Sequence, residues 1–428
     1  MKSNRNHSIA LLLTVLFPFG GLIYTLYHWR EHWAKNTFWL ACIYLGAVFI
    51  YCPEGTVLGI GADGGRYVLR LMEMYANPSI TLGGILSSYQ IDPAIMDLYQ
   101  PLLSYWVSRY TDNGHVLFAV FAFVYGFFYS RNIWYVLEKL PERKLGGLFI
   151  LVTLYFLICP ISQINGVRMW TALHVFVYAM MPYILERDKS KLWLVVLTPF
   201  IHFSYLYMAI FAIGWLLIPS GLKNQSVVFL LVAYVIFVAT LFVFTVNYDV
   251  INGTLAEYSP ETYEERIDMY INEDYSTSRM EISAQDNWYV TMSGNVTYWC
   301  YNILLLALFP CIRRNSRHEY NLFHLYTFTL FLSGLSNITA LIPSGGRFQL
   351  LSQMFKVPLF LLYTMSIPKS DFFRKIINVS LVLLLVPFVF EIRKLFEFFS
   401  ITALLGNFIT VFFWENNVPL ITIIKRFI

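Results

Sequence analysis

Apolar residues in this chain run in long unbroken blocks, and the polar residues collect in short intervals between them. About twelve hydrophobic segments follow from that pattern: 8–28, 35–52, 115–129, 145–161, 167–185, 192–218, 227–245, 294–312, 320–342, 350–367, 376–390 and 398–414. A hydrocarbon layer of about 30 Å is crossed by a helix of roughly 17 to 25 residues. Only structures that satisfy their own backbone hydrogen bonds survive there, which favours helices. The pattern therefore predicts an all-α, polytopic integral membrane protein forming a single transmembrane domain over 1–428. Its two long connections, 53–114 and 246–293, are expected on the outer side.

Composition agrees with this solvent assignment. The chain is 57% hydrophobic and 13% charged, with 37 Phe, 30 Tyr and 11 Trp among 428 residues. A soluble fold of this size would not bury so much apolar surface. The first segment contains "FPFGG" and lacks a small-residue cleavage site, so it is expected to stay in the membrane. Cys42, Cys52, Cys159, Cys300 and Cys311 lie in or beside apolar segments without CxxC or Cys/His spacing. They predict small buried residues, with no disulfide framework, metal site or cofactor. No internal repeat, heptad run or nucleotide-binding glycine loop is present, and the net charge of +4 resides in loops. No nucleic-acid partner is expected.

Lys and Arg in short loops set orientation. Loops 131–144 (Arg131, Lys139, Arg143, Lys144), 187–191 (Arg187, Lys189, Lys191), 313–317 and 369–375 are basic and should be cytoplasmic. By contrast 53–114 has no Lys, and 246–293 carries ten acidic residues against Arg266 and Arg279. Both should face outward. Counting crossings then creates a conflict that only segment 192–218 can resolve. It is long for one span, short for two, and holds Pro199, His202 and Ser204 near its middle. A re-entrant or broken helix beside a wet cavity is predicted there. The first segment, interrupted by "PFGG", leaves the side of the N-terminus open.

On this topology several polar residues converge on the outer face. "GADGGRY" puts Asp63 and Arg66 in a turn where Gly61, Gly64 and Gly65 allow positive φ and close approach. "INGVRMWTA" puts Arg168 at the mouth of a span, "PFIHFSYLY" puts His202 and Ser204 at the break, and "IPSGGRFQL" puts Arg347 in an outer turn. Each has a plainer role: the arginines as snorkelling anchors, Asp63 as a turn former, His202 as a packing residue. Four such residues on one face suggest a shared site for an anionic ligand. His174, His324 and Asn337 lie inside spans, where interhelical hydrogen bonding is expected. The stretch from Asp92 to Tyr110 has an apolar stripe at Ile95, Tyr99, Leu102, Leu103, Trp106 and Tyr110, which predicts a helix at the membrane interface or packed under the loop.

"GADGGRY", "SYWVSRYTDN", "YGFFYSRNI", "INGVRMWTAL", "IHFS" and "SGGRF", in this order, resemble the EpsG family of bacterial exopolysaccharide polymerases, relatives of the Wzy-type polymerases. The resemblance runs from Leu12 to about Phe360. It implies a GT-C-like plan in the bacterial inner membrane, with undecaprenyl-diphosphate-linked oligosaccharide as substrate and a flippase and chain-length regulator as partners.

That chemistry suits the residues. Arg168 and Arg347 offer planar donors to a leaving diphosphate without a metal. Asp63 or His202 would take the proton of the acceptor hydroxyl, with Arg66 orienting the aspartate and Ser204 beside the histidine. A second outer carboxylate does not stand out, so the paired-carboxylate hydrolysis pattern is not expected. Rival readings are a transporter or flippase of lipid-linked saccharides, and a GT-C transferase adding one sugar. A transporter should show charges along both halves of a pathway or a repeat relation, and the sequence has neither.

Overall fold

The computed structural model describes residues 2–50, 63–91, 97–142, 144–243, 288–314, 322–342, 344–366, 371–413 and 418–427. Among these, helices dominate and pairing between extended residues is limited to two isolated bridges, Phe49 with Phe399 and Ser400 with Pro419. The acidic connection 246–293 lies outside the described residues up to its last turn, as do Gly61, Cys52, Ile95, Arg317 and Lys369.

The first segment forms two helices, α1 (Lys2–Leu16) and α2 (Pro18–Tyr27), separated at Phe17. Pro18 starts the second because it lacks the N–H that would continue the first. Then come α3 (Ala34–Ala47), α4 (Asp63–Ala76), α5 (Leu82–Ile91), α6 (Tyr99–Ser108) and α7 (Gly114–Leu137). α7 runs past the predicted end of its segment, so Arg131 is a helical residue rather than a loop residue. Its guanidinium donates to Asn36 Oδ1 at 2.6 Å and to Lys35 O at 3.4 Å.

Next are α8 (Phe149–Leu157) and α9 (Val167–Glu186), joined by a 3-10 turn over Ile161–Gly166. Gly146–Glu186 is helical almost throughout for 41 residues, yet the chain folds back inside it. His174 Nε2 lies 3.0 Å from Cys159 O, and the Asn132 amide on α7 donates to His174 O at 2.8 Å. These bonds hold the two arms side by side against α7. His174 thus plays the interhelical part expected of it, as do His324, which accepts from Trp215 Nε1 at 3.0 Å, and Asn337, which donates to Thr240 Oγ1 at 3.1 Å.

α10 (Trp193–Ile201) and α11 (Leu206–Leu217) come from segment 192–218, with His202 extended between them and a 3-10 turn at Phe203–Tyr205. At nine and twelve residues each arm is about 14 to 18 Å long, well short of a bilayer. The hairpin tip lies against Met169, where Ser204 Oγ approaches the sulfur at 3.7 Å. Its base lies at the far end of α9: α10 follows Arg187, and past α11 the buried Lys223 Nζ donates to Tyr183 OH at 3.1 Å and Trp215 O at 2.7 Å. The segment therefore enters and leaves at one end of the bundle.

The remainder comprises α12 (Ser220–Gln225), α13 (Val227–Thr240), α14 (Trp288–Arg314), α15 (Leu322–Thr339), α16 (Arg347–Ser366), α17 (Asp371–Leu383), α18 (Leu385–Phe398) and two short helices, α19 (Ile401–Leu405) and α20 (Leu420–Ile424). By length and hydropathy, three helical stretches among the described residues suffice to cross a membrane, or four counting the pair α17–α18, bent by 43°. Segments 320–342 and 350–367 form the unbroken α15 and α16, of 18 and 20 residues but less apolar, and most of the other apolar segments fold as shorter, broken or paired helices. Basic residues gather at one end of the bundle, where Lys35 pairs with Glu138, Lys139 with Glu186, and Arg187 Nη1 reaches His324 Nε2 at 3.2 Å. The opposite end carries the candidate site.

Candidate functional site

α4 begins at Asp63, whose carboxylate pairs with Arg66 one turn on. The two glycines between them are buried in the helix's first turn rather than in a positive-φ turn; among the described residues only Gly146 is a glycine with positive φ. Their use is close approach. The Gly64 N–H donates to Asn165 Oδ1 at 2.9 Å, which docks the start of α4 on the turn just before α9. Two residues after Gly166, that turn delivers Arg168.

Arg168 does not stand at the mouth of a span as an isolated charge. Its Nη1 donates to Asp97 Oδ2 at 2.9 Å and its Nε to the Tyr67 hydroxyl at 3.1 Å. Asp97 is only 6% exposed, and its other oxygen accepts from the Phe203 N–H at 2.7 Å. The same chain segment is tied down again where the Leu98 N–H donates to Phe200 O at 2.9 Å. One buried carboxylate thus joins α9 to the hairpin tip. Burial pushes the Tyr67 phenol up to about 12 against the opposing effect of Arg168, so it remains a neutral partner. Two of the guanidinium's five N–H groups are used in this way, and the rest face no partner among the described residues.

Asp97 is the second outer carboxylate that sequence reasoning did not find. Each of its oxygens accepts a hydrogen bond, so it anchors α9 to the hairpin tip. The one available signal was an acidic residue set in "AIMDLYQPLL", amid apolar neighbours. The helix that follows also differs from expectation. α6 is shorter than the predicted stretch and buries Gln100, Ser104 and Ser108, while Trp106 and Tyr110 of the apolar stripe are exposed. Gln100 and Ser104 can be buried because they bond each other at 2.8 Å.

His202 caps the hairpin tip. Its Nδ1 accepts from the Ser204 N–H at 3.2 Å and lies 2.7 Å from Ser204 Oγ. A backbone N–H can only donate, so the neutral ring carries its proton on Nε2. That leaves the His202 Nε2–H as a hydrogen-bond donor. Both Arg168 and Arg347 act electrostatically on His202, and Asp63 acts on Arg168. Arg347 is exposed and opens α16, and its guanidinium makes no hydrogen bond among the described residues. The turn before it is tight. Ser344 has φ of 64°, and a Cβ on Gly345 would stand 1.8 Å from Thr339 O, so only glycine fits. Asp63, Arg66, Arg168, His202, Ser204 and Arg347 lie at one end of the bundle: Tyr67 and Asp97 tie Arg168 to α4 and to the hairpin tip, and Arg347 adjoins them through Phe348, whose ring lies 5.5 Å from that of Tyr205.

The four described cysteines are free and buried, and no cluster of metal-binding side chains occurs among the described residues. The sequence profile of the EpsG family matches residues 41–399. The chain belongs to the EpsG family. This match begins after the first segment and extends through α18, beyond the limit set by the motifs alone. No curated protein and no solved structure matches the chain. EpsG membership and the apolar helices make this an integral membrane protein of polysaccharide biosynthesis.

Proposed function

We propose that this protein is a membrane polysaccharide polymerase, GT-C-like in plan, that joins undecaprenyl-diphosphate-linked oligosaccharide repeat units on the outer face of the bacterial cytoplasmic membrane. The observation that carries this is the convergence of a carboxylate, a histidine donor and two arginines at the end of the bundle opposite the basic loops. An acceptor hydroxyl on one repeat unit attacks the anomeric carbon of the growing glycan. A new C–O bond forms, the bond from that carbon to the phosphate oxygen breaks, and the hydroxyl proton passes to Asp63. The departing undecaprenyl diphosphate takes the electron pair. Its charge is met by the remaining N–H groups of Arg168, by Arg347 at the start of α16, and by the His202 Nε2–H.

The Asp97 anchor supports this division of labour, since it holds the guanidinium still before substrate arrives, and preorganised donors contribute most in a water-poor site. The test is product length. Purified full-length protein in liposomes, given the lipid-linked repeat unit, should yield a ladder of polymer. A single added sugar would identify a one-step transferase instead, and transbilayer movement without a new glycosidic bond would identify a transporter.

A further inference from the structure

A second polar surface lies on the other side of α16. Arg347 and Gln349 are two residues apart on that helix, about 200° around its axis, so they face different neighbours. Gln349 faces α14, and together with Val290, Thr291, Gly294, Asn295 and Tyr298 it lines a groove of about 490 Å³. That volume lies within the range of small-ligand sites. Polar side chains on a membrane helix face protein or a water-filled cavity rather than lipid, and Thr291, Asn295 and Tyr298 face this groove.

The groove's axis continues downward in polar residues. Gly294, Tyr298 and Asn302 recur every fourth residue of α14, and Gln349 and Lys356 are seven apart on α16, so each pair of faces extends one or two turns deeper. There Lys356 Nζ, on a residue only 4% exposed, donates to Asn302 Oδ1 at 2.8 Å. Asn302 is fully buried and its Nδ2 makes no hydrogen bond among the described residues. A buried lysine–amide pair thus sits beneath a rim of amide, hydroxyl and phenol groups.

We infer that the α14–α16 groove is a saccharide-binding subsite, holding neutral sugar rings of the glycan while its diphosphate end lies at Arg347 across the first turn of α16. Amides and hydroxyls match the paired donors and acceptors of sugar hydroxyls, and the Tyr298 ring offers an apolar face to the C–H side of a pyranose. The inference rests on the polysaccharide reading of the first site, and none of that site's residues lines the groove itself.

Gly294 supplies the test, because it lines the groove and a Cβ built on it has nothing within 4 Å, so a large side chain there would occupy the groove. The probe is free oligosaccharide of two to six sugars, released by mild acid from the polysaccharide of the producing cell and titrated into purified full-length protein by calorimetry. Wild type and Gly294→Ala should bind it alike. Gly294→Trp, and separately Gln349→Ala, should weaken it at least tenfold while the protein stays monodisperse. Wild-type affinity in Gly294→Trp, or no binding by wild type, would overturn the subsite. The readout contains no lipid and no turnover, so a protein that builds a ladder but fails this titration refutes the groove and leaves the polymerase reading standing.

Discussion

Arg168 was legible as a functional candidate, but its partner was not. Nothing along the chain links Asp97 to a residue 71 positions later; the pair exists only because α6 and α9 pack around the same hairpin tip. The Asp63–Arg66 pair, by contrast, is an i,i+3 neighbour on one helix and could be read from spacing once α4 was known to start at Asp63. The Asp97 anchor changes what the arginine substitutions should do. Asp97 is buried whereas the Arg168 side chain is 33% exposed, so losing Asp97 leaves a charge that solvent partly screens but also removes the bond to the Phe203 N–H. Asp97→Ala should therefore lower the unfolding midpoint in detergent as well as polymer yield. Arg168→Lys keeps a charge for Asp97 but loses the planar fork. It should leave the midpoint near wild type and cut yield at least tenfold, a change of about 1.4 kcal/mol in transition-state stabilisation. Wild-type yield from Arg168→Lys would reduce Arg168 to an anchor for Asp97.

At the scale of elements, the break at His202 was readable because two independent constraints met there. Pro199 signals a helix end close by, although α10 runs on past it to Ile201, and the distribution of Lys and Arg requires an even number of crossings through 192–218. The return path was not readable, since it depends on Lys223 reaching Tyr183 and on Trp215 reaching His324. Helix ends elsewhere moved for local reasons: α7 extends because Arg131 finds acceptors on α3's first turn, and α6 is short because Pro101 fits only its opening turn. The hairpin makes a prediction about sidedness. Cysteines at Ser190 and Gly221 flank it, and one at Gly346 lies in the turn before Arg347; all three positions are exposed. In intact spheroplasts a membrane-impermeant thiol reagent should label Gly346→Cys only, and Ser190→Cys and Gly221→Cys should become reactive together after lysis. Labelling of just one of the flanking pair in intact cells would mean that 192–218 crosses the membrane once.

For the molecule as a whole, the sequence pattern conveyed solvent, helical class and the end of the bundle where polar residues gather. It conveyed little of how twelve apolar segments share the work of crossing, because hairpins, bent pairs and full spans have similar hydropathy and differ in what they pack against. The α14–α16 groove was invisible for the same reason: its residues are polar positions on two helices that only packing brings face to face. The central claim is that the Asp63 end of the bundle performs glycosyl transfer, with Asp63 taking the proton. Asp63→Asn tests it most directly, because the amide keeps the shape and the position at the start of α4 while removing the base. With protein reconstituted at equal amounts and lipid-linked repeat unit at saturation, the account predicts polymer formation reduced by roughly 10²-fold or more, the contribution typical of a general base. A wild-type ladder from Asp63→Asn would contradict it.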